Sequence, residues 1–110
     1  MIQDRIAKLE DKVRSTTHIQ EDTKTELLGI LAGLKTEIEA LAKTNEEDAR
    51  SIARFADVST HEATRQDKRP QLVDAAITGL NSSISTFEST HPSLTQVVNR
   101  LATVLSNMGF

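Results

Sequence analysis

Apolar residues recur at steps of three and four along most of the chain, the spacing that gathers them on one face of an α-helix. Ile2, Ile6, Leu9 and Val13 predict a short amphipathic helix over residues 2–14. Ser15-Thr16-Thr17-His18 interrupts it with side chains that favour caps and turns. Leu27, Leu31, Leu34, Ile38 and Leu41 then form a second seam, with Glu21 and Asp22 near its start to complement the positive end of a helix dipole. Extending that seam places Asn45 and Asp48 where apolar residues belong. The stretch Thr44-Asn45-Glu46-Glu47-Asp48 therefore reads either as the cap and acidic first turn of a new helix or as a polar patch inside one helix over residues 20–65. No Pro or Gly breaks the stretch and Ile52, Phe55 and Ala56 resume the apolar face, which favours continuity.

Gln66-Asp67-Lys68-Arg69-Pro70 predicts a turn, with Pro70 suited to a first helical position because its missing N–H would be unpaired there. Val73, Ile77, Leu80, Ile84 and Phe87, widened by Leu72 and Ala76, predict a helix over 70–90. Pro92 disfavours helical geometry at His91, so this helix stops or kinks there. Leu94, Val98, Leu101, Leu105 and Met108, widened by Val97 and Val104, predict the last helix over 92–108. Gly109 is placed to end it in a left-handed conformation, with Phe110 contacting Leu105. There is no strand alternation and no repeat of 20–50 residues, and each seam is too short for a free-standing coiled coil. The expected fold is a single all-α domain, an antiparallel helical hairpin or bundle. A long central helix would pack against a Pro-kinked returning arm, with a short N-terminal helix folded back on one end.

Charge sharpens this picture. Residues 1–69 hold 26 of the 29 charged side chains, and residues 70–110 hold only Asp74, Glu88 and Arg100. An exposed helix usually carries mixed charges, so more than one face of the C-terminal arm is expected to be covered, by a second copy in a homo-oligomer. Leu94, Val98, Leu101, Leu105, Met108 and Phe110 are its expected core or interface residues. Gly29 and Gly33 lie roughly opposite the Leu27–Leu31–Leu34 seam. Each costs about 1 kcal/mol relative to alanine inside a helix, and together they are expected to admit the close approach of another helix.

The absence of cysteine excludes disulfides, thiolate catalysis and Cys-ligated metals. Three Phe with no Trp or Tyr leave no platform for stacking bases, sugars or flavins. A net charge of −3 argues against nucleic acid and anionic membranes as partners. The longest apolar run, Leu27 to Leu34, falls well short of the roughly 20 residues needed to span a bilayer. The first residues meet charge at Asp4 without a signal-peptide core, so the chain is expected to be cytoplasmic. No cofactor is expected.

Two polar clusters remain. Glu88-x-x-His91 has the spacing used in carboxylate-bridged di-iron bundles, and Glu37 or Glu39, doubled by a symmetric dimer, would have to complete such an iron or zinc site. Its plainer reading is a polar turn where a helix ends. Asp57, His61 and Arg65 form one helical stripe beside Glu62, in which a histidine between acid and base suits proton transfer. Its plainer reading is a solvated face with weak i,i+4 pairs. Arg50, Arg54, Arg65, Lys68 and Arg69 also make residues 49–69 locally positive, against a net −4 over residues 1–48. That segment could dock an acidic partner or the chain's own acidic half. The expected function is a non-enzymatic, self-associating interaction or regulatory module, with a metal-binding bundle as the alternative.

Phe87-Glu88-x-x-His91-Pro92-Ser93-Leu94, followed by Leu101-x-x-x-Leu105-Ser106-Asn107-Met108-Gly109 and a final apolar residue, resembles the ending of small bacterial proteins of domain-of-unknown-function family 4404. Ser51-Ile52-Ala53-Arg54-Phe55 and His61-Glu62-Ala63-Thr64-Arg65 are similar to inner segments of the same family. The resemblance implies a bacterial, helical, cytoplasmic protein. It implies no activity, substrate or catalytic residue, though it sets His61 and His91 inside family motifs.

Overall fold

Hydroxyl side chains end the first helix where the turn residues lie. Ser15 Oγ and Thr16 Oγ1 both donate to the Lys12 carbonyl, taking up an acceptor that the helix end leaves free. In the computed structural model, which describes residues 2–109, five α-helices follow one another. They are α1 (Ile2–Ser15), α2 (Glu21–Ala42), α3 (Glu46–Thr64), α4 (Pro70–Ile84) and α5 (Pro92–Gly109), with a 3-10 turn at Ser85–Phe87. The chain is all-α, and no described helix is long and apolar enough to cross a membrane.

Both long arms fold in half, which corrects the expected continuous central helix and the merely kinked return. The first arm breaks at Lys43–Asn45, where the Thr44 and Asn45 N–H groups both donate to the Leu41 carbonyl and close α2. Asn45 leaves helical geometry (φ −138°, ψ 65°) and its side-chain oxygen accepts from Thr44 Oγ1 at 2.8 Å. Continuity would have carried Asn45 and Asp48 into the core. Breaking instead gives Glu46, Glu47 and Asp48 the electropositive first turn of α3. The second arm leaves α-helical geometry at Ile84, earlier than its apolar periodicity suggests, and the turn-forming run from Ser85 to Thr90 reverses it. Pro92 then starts α5 as Pro70 starts α4.

The result is an up-and-down bundle. The Lys35–Glu10 ion pair (2.9 Å) and the Lys24 Nζ bond to the Arg14 carbonyl set α1 antiparallel to α2. His18 Nε2 meets the Thr64 carbonyl at 2.6 Å, and Lys68 Nζ donates to the Met108 carbonyl, so the ends of α1, α3 and α5 gather at one pole. Helix α3 touches all four others. Around it, α1 packs on α2, α2 on α5 and α5 on α4, but among the described residues α1 and α4 do not meet. The ring is open on that side.

A helix wrapped on so many sides must be thin. Apart from Ile52, the buried face of α3 consists of Ala49, Ala53, Ala56, Ser59, Thr60 and Ala63. The bulk comes from the neighbours: Leu27, Leu31, Leu34, Ile38 and Leu41 of α2, and Leu94, Val98, Leu101 and Leu105 of α5, are essentially inaccessible. Of the seam expected to be core or interface, Leu94, Val98, Leu101 and Leu105 are buried within the chain and Met108 is partly buried against them. Phe110 lies outside the described residues, and α5 remains helical through Gly109. Within the chain, α4 and α5 leave exposed an uncharged polar set that includes Thr78, Asn81, Gln96, Asn99 and Thr103. The radius of gyration, 12.9 Å, equals the ~13 Å of a compact chain this long.

The close approach expected at Gly29 and Gly33 is not made within the chain. A Cβ at Gly29 would meet open space, and one at Gly33 would reach Val97 Cγ2 at an ordinary 3.8 Å. Gly79 is the glycine that matters, because a Cβ there would overlap the Phe55 ring, which lies across α4 from α3. In a Phe55→Ala background, Gly79→Ala is expected to stabilise by about 1 kcal/mol through helix propensity. In the native background the gain is expected to shrink or vanish as the ring is displaced, a coupling measurable in a urea-denaturation cycle. The Ser59 hydroxyl is fully buried without a hydrogen-bond partner. Ser59→Ala is accordingly expected to raise stability by about 1 kcal/mol in the same assay.

Candidate functional site

The side chains of the two clusters singled out by spacing are engaged in turn contacts and in separate ion pairs. Glu88 and His91 lie in the turn between the 3-10 segment and α5, outside both. Glu88 is exposed. The His91 ring stands edge-on to Phe87 with centroids 5.4 Å apart, its Nδ1 is 3.0 Å from Thr90 Oγ1, and its backbone N–H donates to the Phe87 carbonyl. These contacts fasten the turn. Among the described residues no three His, Asp or Glu side chains gather as a metal would require, so neither Glu37 nor Glu39 joins Glu88 and His91.

In the second cluster, Asp57 is taken by Arg5 of α1 at 3.1 Å and Arg65 by Glu62 at 2.9 Å. His61 stays mostly exposed, with Nε2 3.9 Å from Glu62. The stripe is divided among separate ion pairs, with its acid and base engaged elsewhere.

What does converge is positive charge. Arg5, Lys8 and Lys12 lie at steps of three and four on one face of α1, spanning about 10 Å of its axis. Arg50 and Arg54 of α3 face them across a groove of about 490 Å³ floored by Leu9 and Ala53. Asp4 and Asp57 are the acidic residues along it. Five cations against two carboxylates give the groove +3 on a chain of net −3, so everything outside it sums to −6. Asp57 holds Arg5 and Glu46 holds Arg50. Lys8, Lys12 and Arg54 have no carboxylate partner among the described residues. A second groove of similar size, near the His18–Thr64 contact, sets one lysine (Lys68) against one glutamate (Glu26) and has no such bias.

The basic character of residues 49–69 was legible in part. Arg50 and Arg54 do line the groove, whereas Arg65, Lys68 and Arg69 turn to Glu62, the Met108 carbonyl and Asp67. The α1 cations were hidden inside an acidic average over residues 1–48, although their three–four spacing already put them on one face.

A family model described as a domain of unknown function, DUF4404, matches residues 2–110. The chain belongs to the DUF4404 family. No curated protein and no solved structure matches it. The family description carries no activity, so the function of this DUF4404 chain must be argued from its groove.

Because Lys8 and Lys12 lie exposed in α1 and Arg54 lies exposed in α3, their reversal to Glu is expected to leave the fold intact. Each single change should move unfolding stability by about 0.5 kcal/mol or less in urea melts.

Proposed function

We propose that this protein is a non-enzymatic interaction module that receives an acidic partner surface in the α1/α3 groove. The observation that carries this reading is the set of cations without a carboxylate partner among the described residues, Lys8, Lys12 and Arg54, concentrated in a concavity of an otherwise acidic molecule. Complementary charge steers encounter and fixes orientation more than it adds raw affinity. The module would thus bind rapidly and reversibly, as suits a regulatory contact in the bacterial cytoplasm that the family resemblance implies. The absence of Trp and Tyr, and the two carboxylates along the groove, weigh against nucleic acid as its ligand.

Self-association is a second form of the same reading. A net −6 outside a +3 groove makes another copy of the chain an electrostatically matched partner. Light scattering at about 20 mM and about 200 mM salt tests it: a dimer that dissociates as screening rises supports it, and a monomer throughout rejects it. The broader proposal is tested by fluorescence anisotropy with a fluorescein-labelled oligoglutamate. Binding at low salt is expected to weaken about tenfold at 200 mM, and about tenfold or more in the Lys8→Glu/Lys12→Glu/Arg54→Glu variant. Unchanged affinity in that variant would reject the groove.

A further inference from the structure

Three features of the groove, taken together, describe the shape of its occupant. The first is the missing side of the ring. Helices α1, α2, α5 and α4 surround α3 in succession, and the step from α4 back to α1 is not made. The outward face of α3 is thus flanked by α1 on one side and α4 on the other, with no contact between those two helices among the described residues.

The second feature is the spacing of charge along that opening. Arg5, Lys8 and Lys12 on α1, and Arg50 and Arg54 on α3, stand three or four residues apart. Successive cations therefore rise by about 4.5–6 Å along their axes, as do carboxylates at i, i+3 and i+7 on an α-helix. A compact anion would engage only part of a row about 10 Å long.

The third feature is apolar. The exposed large hydrophobic residues of the described chain are Phe55, Val58 and Leu72. Phe55 and Val58 are three residues apart on α3 and share its outer side with Arg54. Leu72 lies seven residues before Gly79 on α4, hence on the same helical face, and Gly79 lies against Phe55. The opening thus has a basic edge toward α1 and an apolar edge toward α4.

We infer that the α1/α3 seat receives an acidic amphipathic helix from a partner protein. Its carboxylates would lie along Lys8, Lys12 and Arg54, and its apolar edge on Phe55, Val58 and Leu72. This rests on the interaction-module reading above and names the partner's chemistry. Binding of an amphipathic helix in a groove is an established recognition mode; here the mixed edges also set which way the helix is rotated about its axis.

The test uses the full chain and two fluorescein-labelled peptides of about 18 residues, long enough to form helix. One carries Glu at i, i+3 and i+7 with Leu along the adjoining edge; the other has the same composition in shuffled order with a central Pro replacing one Ala. At about 50 mM salt the helical peptide is expected to bind at least tenfold tighter than the shuffled one. Val58→Ser/Leu72→Ser is expected to weaken it about fivefold while leaving oligoglutamate binding unchanged, and Lys8→Glu/Lys12→Glu to weaken both. The substituted side chains are exposed, and circular dichroism of each variant verifies its fold. Equal affinity for the two peptides overturns the helix and leaves the acidic-partner reading standing. If oligoglutamate and both peptides all fail to bind, both readings fall. Preferential displacement by single-stranded DNA or polyphosphate, or a salt-sensitive dimer that excludes the peptide, overturns the inference in favour of that occupant.

Discussion

The thinness of α3 is the constraint on which the bundle depends. Helices pack at axial separations of roughly 8–10 Å, set by the side chains between them. With Ala49, Ala53, Ala56, Ser59, Thr60 and Ala63 inward, α3 lets four helices approach it together, and the leucines of α2 and α5 fill the volume it leaves. Larger residues at those positions would push α1, α2, α4 and α5 outward and open the contacts they make with one another. The fully buried Ser59 and Thr60 hydroxyls, which lack partners, show that size is served here ahead of hydrogen bonding.

That economy also explains which parts of the fold were legible in the sequence. The seams of α2, α4 and α5 announce themselves because Leu, Ile and Val recur at helical spacing, and they are buried as that spacing requires. The inner face of α3 is nearly invisible to the same reasoning: alanine and serine add little apolar bulk to mark a seam, and Phe55, its largest apolar residue, is 39% exposed. The break at Asn45 was visible as a conflict between seam and polarity, but the choice between break and continuity was made by tertiary packing. Turning there lets α3 sit in the middle of the bundle, a gain that no local signal records.

The candidate site was less legible than the fold. Spacing on one helix proposed Glu88 with His91, and Asp57 with His61 and Arg65, yet partners from other elements decide what such groups do. Arg5 crosses from α1 to claim Asp57, and Phe87 and Thr90 engage the His91 ring. The groove has the opposite history. Its two rows of cations lie about 45 residues apart in the chain, and only the alignment of α1 beside α3 makes them one surface.

The open side of the ring has a mechanical meaning as well. Among the described residues helix α1 packs on α2 and α3 alone, through Ile6, Leu9, Val13, the Glu10–Lys35 and Arg5–Asp57 pairs and the Lys24 bond to the Arg14 carbonyl, and is joined to the rest by the short link at 16–20. With two helical neighbours, as few as α4 has, it is expected to be among the first to come away in a partial opening below global unfolding. Anything lodged along its basic face would bridge it to α3 and raise the cost of that opening. Occupancy of the groove would then be recorded as slowed amide exchange throughout α1, turning a peripheral helix into a latch whose hold depends on what lies beside it.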